Sequence, residues 1–486
     1  MSARKTYRSR ATGYAARTQA FARSPTAGKS ECRYSRAMLA GGIRASIANA
    51  RSYRANPVAF YRSLTGGGDG YRAVAPFDFF GPNLLVNDPE LVGTVLTSPS
   101  GEGFGKGDLR FFAVLRRMLG NGLFTVEGEH HRAQRRALRP MLQPRALAGG
   151  GAGAGGGGAA GGAAGDAMSR AAERLRSEWS DGPDRVVDVQ DAAGRVALDL
   201  LADAVAGPSH AHRVRELGLL VERAERPLLD VLEAPVVFPA WLRTPANRRL
   251  GAATDALRRS AAELLLADGI EPGALLEGLR RDADGDQLLD ELVTLVVAGH
   301  QSTAASIAFS LHLLAAHPEH AARLAAEARS VLAGRPATMA DLPSLPYTAL
   351  VVAESMRLFP PVWIITRRVL RERQWAGRRV PAGAVVHVCP HTLHRNPAHW
   401  PEPDRFAPER FADLDARRGR HRFAYAPFGG GPHKCIGNHF ALAATAIVLA
   451  TLAPSVRFAP PAAEPTVGAR SFTVAEGGLP LRLLRP

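Results

Sequence analysis

The sequence predicts a mainly α-helical protein with a small β-region, and three observations carry that prediction. Apolar residues recur with helical spacing through most of residues 190–358. Residues 362–411 switch to short strand-like runs separated by Pro and Gly turns. An apolar helix then starts near His439, directly after a Gly-rich loop that carries Cys435.

Residues 1–54 hold twelve Arg and Lys residues against Glu31 as the single acid, with little apolar patterning. They read as a basic, disordered N-terminal arm. Their Arg-, Ser- and Ala-rich composition is also that of an organelle transit peptide, and a disordered arm or a start codon placed too early is the simpler reading. The domain proper, residues 55–486, opens with Ala-Asn-Pro-Val-Ala-Phe60. Tyr71–Phe77 and Asn83–Val86 read as strands broken by Gly and Pro. Residues 148–165 are almost wholly Gly and Ala. Such a run buries little surface and keeps high chain entropy, which predicts a flexible surface insertion. Helical pattern resumes at Asp166 and continues through Trp179, and Pro residues punctuate 227–245. The helix around Glu354 is ended by Pro360-Pro361.

With 486 residues, 46% of them apolar, the chain can build one large core. Its net charge of +16 rests almost entirely on Arg, since Lys occurs only at Lys5, Lys29, Lys106 and Lys434. Much of the excess sits in the arm, and no nucleic-acid-binding motif accompanies it, so nucleic acid is not an expected partner. Cys32, Cys389 and Cys435 are far apart and odd in number. That suggests neither a disulfide framework nor a zinc cluster and fits a reducing, cytoplasmic setting. The longest apolar run, Leu288–Ala316, is interrupted by His300, Gln301 and Ser302. It predicts a buried helix rather than a membrane span.

The strongest chemical signal is Phe428-Gly-Gly-Gly-Pro-His-Lys-Cys435-Ile-Gly437. Glycines let the backbone pass close to a flat ligand. Loop amides and the N-terminus of the following helix stabilise a thiolate. A thiolate is the axial ligand that favours O–O cleavage at a heme iron. The stretch resembles the heme-binding loop of the cytochrome P-450 family, Phe-x-x-Gly-x-(His/Arg)-x-Cys-x-Gly, and matches it at Phe428, Gly431, His433, Cys435 and Gly437. The resemblance implies that family's triangular, mainly helical fold. Heme b (iron protoporphyrin IX) would then lie between the central helix around Ala298–Thr303 and the loop ending at Cys435, which binds the iron.

Further motifs extend the resemblance over about residues 55–483. Glu354-Ser-Met-Arg357 places two charges on one helical face. Phe406-Ala-Pro-Glu-Arg410-Phe411 is similar to the family's meander, where Arg410 would complete a structural triad with Glu354 and Arg357. His131 and Arg135, four apart on Gly128-Glu-His-His131-Arg-Ala-Gln-Arg135, would hold the heme propionates, joined by Arg367. His394-Arg-Asn-Pro397 is also family-like.

The central helix departs from the pattern. Ala298-Gly-His-Gln-Ser-Thr303 stands where the family has Ala-Gly-x-(Glu/Asp)-Thr, so Gln301 replaces the acid and Ser302 the threonine of the proton relay. Gln orients water but cannot supply a proton by itself. Ser302 keeps the hydroxyl, while His300 or ordered water become candidate proton sources. A second departure is Leu442-Ala-Ala-Thr445, where the family often has an acid.

The implied reaction is monooxygenation by O2 of a small apolar substrate, with terpenoid, fatty-acid and polyketide classes open. Val362-Trp-Ile-Ile-Thr-Arg-Arg368 and Pro245-Ala-Asn-Arg-Arg249 resemble actinobacterial terpene-oxidising members. Pro361–Arg367 and the loop around Phe104–Phe124 would form an apolar pocket. No flavin or ferredoxin segment follows Pro486, so electrons from NAD(P)H would arrive through a ferredoxin reductase and an acidic ferredoxin, docking near His433 and Lys434 on a monomer. Two other readings are a heme-thiolate isomerase, dehydratase or peroxide-dependent enzyme, and a heme-binding protein without catalysis.

Overall fold

A computed structural model describes residues 49–484 apart from 50, 66–70, 75–82, 100–101, 108, 149–161, 181–183, 233, 235–236, 270–274, 283–284, 376–377, 414–418 and 470–471. Thirteen α-helices of at least seven consecutive described residues stand out. The N-terminal ones are α1 (Pro57–Ser63), α2 (Pro89–Thr97), α3 (Arg110–Leu119), α4 (Gly128–Leu138) and α5 (Gly162–Ser180). Next come α6 (Val189–Ala206), α7 (Ala211–Leu232), α8 (Pro245–Leu265) and α9 (Leu275–Asp282). The last four are α10 (Gly285–Ala316), α11 (Pro318–Leu332), α12 (Pro346–Leu358) and α13 (Asn438–Leu452).

Local chemistry sets many of their ends. Asp88 and Asp188 cap α2 and α6 by accepting first-turn amide hydrogen bonds, and Thr244 does the same for α8. Pro begins α1, α2, α8, α11 and α12, where its missing N–H costs nothing. Pro227 is the exception: α7 runs through it.

The helix α10 is the axis of the molecule. It is the one described helix long and apolar enough to cross a membrane, but 67% of its apolar window is buried inside the protein. It packs against α6, α12 and α13, and hydroxyl pairs lock the contacts. Ser310 Oγ donates to Ser355 Oγ on α12 (2.9 Å). Thr445 Oγ1 on α13 donates to Ser306 Oγ (3.0 Å), which gives the second departure from the family pattern a structural partner.

The main sheet has five strands in the order Tyr71–Val74, Asn83–Val86, Val385–Val388, Ile365–Val369 and Phe104–Gly105. Its 83–86 and 385–388 pair is parallel; the others are antiparallel. Arg367 lies opposite Val386 in that register, on the strand next to the sheet's short edge strand.

Three expectations need correction. The Gly/Ala run does not stay loose through residue 165, because α5 begins at Gly162 and buries Ala164. Small residues are what allow that packing: a Cβ on Gly165 would sit 2.8 Å from Leu147 O. Residues 149–161 of the run lie outside the described residues. The arm ends earlier than residue 54, since 51–55 are helical and Tyr53 packs edge-on against Phe60 (5.9 Å). Residues 1–48 lie outside the described residues. Finally, Phe104 and Trp363 are core residues rather than pocket walls. Phe104 packs on Trp375 (5.2 Å), and Trp363 on Tyr61 of α1 (6.1 Å).

Candidate functional site

The Cys435 loop is fixed by its own backbone. Gly429 N–H donates to Ala426 O (3.0 Å), Lys434 N–H to Gly431 O (3.1 Å), and Cys435 N–H to Phe428 O (2.9 Å). Gly431 has φ +61°, and a Cβ there would lie 2.2 Å from Leu96 O of α2, so only glycine fits. The loop runs straight into α13, whose N-cap is Gly437. The Gly437 amide lies near the Cys435 sulfur and favours its thiolate form.

Cys435 is accessible yet ringed by protein, as a side chain at the edge of an internal space would be. Burial pushes its thiol up, while the Gly437 amide, Arg135 and Lys434 favour the thiolate. Cys389 offers no alternative. It is fully buried beside Tyr61 and Trp363, and burial pushes its thiol up to about 11.

Basic side chains converge beside the loop. His131 and His433 bring their rings to 4.1 Å between centroids. Burial, and then the neighbouring cations Lys106, Arg135 and Arg367, depress His131 to about 4. His131 Nδ1 is buried without a hydrogen-bond partner among the described residues. Burial pulls Arg367 down to about 10, and its side chain donates only to Thr366 O (3.0 Å) among them. Arg135, four residues beyond His131, is half-buried and also lowered by burial.

Sequence reasoning missed Lys106. Its Nζ is buried and donates to Phe124 O (2.6 Å) and Val126 O (3.1 Å). Burial and Arg367 lower it to about 7. Glu127 is the nearby anion, but its oxygens already accept from the amides of Lys106 (2.6 Å) and Gly107 (3.0 Å). A signal existed: a chain that writes nearly every cation as Arg keeps Lys at only four positions, and Lys106 and Lys434 are two of them.

This donor set fits heme b. A group of arginine, lysine and imidazole donors with too few anions, an orphaned imidazole nitrogen among them, suits two propionates. A cysteine sulfur beside the Gly437 amide at a helix start suits an iron.

On α10, Ser302 Oγ donates to Ala298 O one turn back (2.7 Å), and the helix is continuous there. His300 turns away from that face. Its Nε2 lies 3.2 Å from Gly194 O of α6 and 3.6 Å from Glu222 of α7. Residues 300 and 302 are about 200° apart around a helix, so His300 and Ser302 do not share a face of α10. Burial lowers the basicity of His300.

Glu354, Arg357 and Arg410 are brought together. Arg357 Nε donates to Glu354 Oε2 (2.7 Å) and its Nη2 to Oε1 (2.8 Å). Arg410 Nε donates to the same Oε1 (3.0 Å), as does the amide of Ala407 (2.9 Å). Arg357 also reaches the carbonyls of His394 (2.9 Å), Pro403 (2.6 Å) and Arg405 (3.0 Å). His394 in turn accepts the amide of Ala426 through Nε2 (2.9 Å), where the Cys435 loop begins. A continuous polar chain therefore runs from α12 to the loop.

Comparison with known proteins agrees with this geometry. Residues 274–467 match the cytochrome P450 family model. The chain is 35% identical over 391 residues to cyclooctat-9-en-7-ol 5-monooxygenase of Streptomyces melanosporofaciens, covering 77% of this chain and 80% of that one. It is 30% identical over 448 residues to pentalenene oxygenase of Streptomyces avermitilis, covering 88% and 92%. A six-coordinate cytochrome P450 from Thermus thermophilus superposes with TM-score 0.63 at 27% identity, covering 83% and 92%. The chain therefore belongs to the cytochrome P450 family, as a monooxygenase that uses heme b and O2.

Proposed function

We propose that this enzyme hydroxylates or epoxidises an apolar terpenoid. Electrons would come from NAD(P)H through a separate ferredoxin reductase and ferredoxin. The likeness to two Streptomyces oxygenases, named for cyclooctat-9-en-7-ol and pentalenene, carries the reading because it spans most of all three chains.

When bound, heme b supplies insertion of one O2 atom into a C–H or C=C bond, with the other leaving as water. Cys435 would hold the iron, and the Gly437 amide and the start of α13 offset part of the burial that works against its thiolate. His131, Arg135, Arg367 and His433, joined by Lys106, hold the propionates. Glu354, Arg357 and Arg410 brace the loop from behind. Phe428 closes the loop by accepting the Cys435 amide. Ser302, whose hydroxyl now donates to Ala298 O, would relay a proton, and Gln301 would orient the water that feeds it. Lys434 and the exposed Arg132 and Arg136 offer basic charge to an acidic ferredoxin.

The test is turnover of terpene hydrocarbons and alcohols by the heme-loaded enzyme. One arm supplies ferredoxin, reductase and NADPH, and the other peroxide alone. Product in the first arm only is expected. Product from peroxide alone at an equal rate would favour the peroxide-dependent reading, and inertness toward terpenoids beside turnover of fatty acids would overturn the substrate class.

Gln301→Glu should raise the fraction of reducing equivalents that end in product, because it restores an ionisable group in nearly the same volume. The measurement is product formed per NADPH consumed. Coupling that is already complete in the wild type, or that falls in the variant, shows that protons reach the site without an acid at 301.

A further inference from the structure

The turn between α3 and α4 is tied to the central helix by two adjacent acids that no motif pointed to. Asp290 Oδ2 accepts the Asn121 amide (2.6 Å), and Glu291 Oε2 accepts the Leu123 amide (3.1 Å). The approach is very close. Gly120 has φ +57°, and a Cβ there would lie 2.1 Å from Asp290 Oδ2. At its other end the turn is gripped by Lys106 through the carbonyls of Phe124 and Val126, and Gln134 Nε2 of α4 donates to Asn121 O (2.8 Å).

The two acids are not equivalent. Asp290 is also paired with Arg258 of α8 (2.6 Å). Glu291 is buried, and its Oε1 has no hydrogen-bond partner among the described residues; nor has the buried Thr294 Oγ1 one turn on. The cations of the surrounding elements are committed elsewhere. Arg258 serves Asp290. Arg116 of α3 donates to Thr125 O (3.1 Å), and Arg117 to Asn247 Oδ1 (2.9 Å) and Phe238 O (3.0 Å). Lys106 holds its two carbonyls, and His130 of α4 lies against Gln134 (3.0 Å).

We propose that Glu291 is a positioning residue whose neutral carboxyl latches the Gly120–Phe124 turn to α10, and that losing its proton loosens the latch. A neutral carboxyl tolerates an enclosed, unpartnered oxygen far better than a carboxylate does. Burial, and behind it the charge of Asp290, pushes Glu291 up to about 7. In an opened turn the same group is solvated and returns toward the ordinary carboxylate range.

The direction follows by linkage. Below the ordinary range both states are protonated and pH has no effect. Between that range and about pH 7 the open turn gains up to about tenfold per pH unit, and above that the effect levels off. The turn carries Leu123 and Phe124. That they wall the substrate pocket rests on the heme site proposed above; amide exchange in the turn itself does not.

The test is hydrogen exchange in the heme-loaded enzyme, read at the amides of residues 119–125 and corrected for intrinsic rates, from about pH 5.5 to 8.5. Wild type should lose about tenfold protection up to pH 7 and then level off. Glu291→Gln keeps the acceptor for Leu123 and cannot ionise, so it should stay protected throughout. Glu291→Leu removes the acceptor and should be unprotected at every pH. A flat wild-type profile, a Glu291→Gln profile that tracks wild type, or full protection in Glu291→Leu would each overturn the proposal. If Glu291→Leu does not fold, the wild-type and Gln profiles decide.

Discussion

Cys435→Ser is expected to abolish the thiolate-type spectrum of the reduced carbonyl complex and to cut product formation by on the order of 10³ or more. The hydroxyl of Ser is too weak an acid to be an anionic ligand, so the iron loses the electron donation that favours O–O cleavage. The loop itself should survive. Its closing bond joins the residue-435 amide to Phe428 O and needs no side chain. No other described cysteine is placed to substitute, because Cys389 lies in the small core around Tyr61 and Trp363. Heme binding should persist, since the cationic residues beside the loop are untouched. The check is the reduced carbonyl spectrum with heme content measured in the same sample. A variant that keeps the thiolate signature would show that another residue holds the iron.

Glu354→Ala is expected to cost about 3–5 kcal/mol and most of the heme content, although Glu354 is proposed to touch neither heme nor substrate. Its Oε1 alone accepts from Arg357, Ala407 and Arg410. Removing it leaves the fully buried Arg357 guanidinium with only neutral carbonyls around it. The strain should pass along Arg357 and His394 to the Ala426 amide and into the Cys435 loop. Arg410→Gln should cost less, because Arg410 is partly exposed and Arg357 still pairs with Glu354. Thermal unfolding and the heme-to-protein ratio measure both. Glu354→Ala with an unchanged melting temperature and full heme loading would reduce the triad to a passive contact.

The motifs that were legible share one property: their chemistry depends on residues close together in the chain. The loop from Phe428 to Gly437 carries its own turns, glycines and cysteine, so ten consecutive residues are enough to propose a heme-thiolate site. Glu354 with Arg357, and His131 with Arg135, are single helical turns. Helix periodicity likewise gave α10 and α13, since each repeats every few residues.

Long-range placement was not legible. His300 sits between two motif residues, yet whether it faces the heme side or Gly194 depends on how α10 packs on α6. Trp363 and Phe104 are apolar residues beside pocket motifs, and only the sheet's packing against α1 and Trp375 turned them into core. Lys106 lies in no helix, and its burial arises where residues 104–107 meet 124–127. The extent of α5 into the Gly/Ala run was set by contact with Leu147, not by composition.

By itself, the sequence determined the family, the mainly helical class and the unusual Gln301-Ser302 pair, and it singled out Cys435 as the proposed ligand. Tertiary structure decided which cations gather where the propionates are proposed to bind, that Glu354, Arg357 and Arg410 close into one network, and that Asp290 and Glu291 hold the turn before α4. The reason is physical. Backbone preferences and ligand loops act over a few residues, whereas burial, charge compensation and the perturbed acidity of Lys106 and Glu291 exist only once distant segments exclude water from one another.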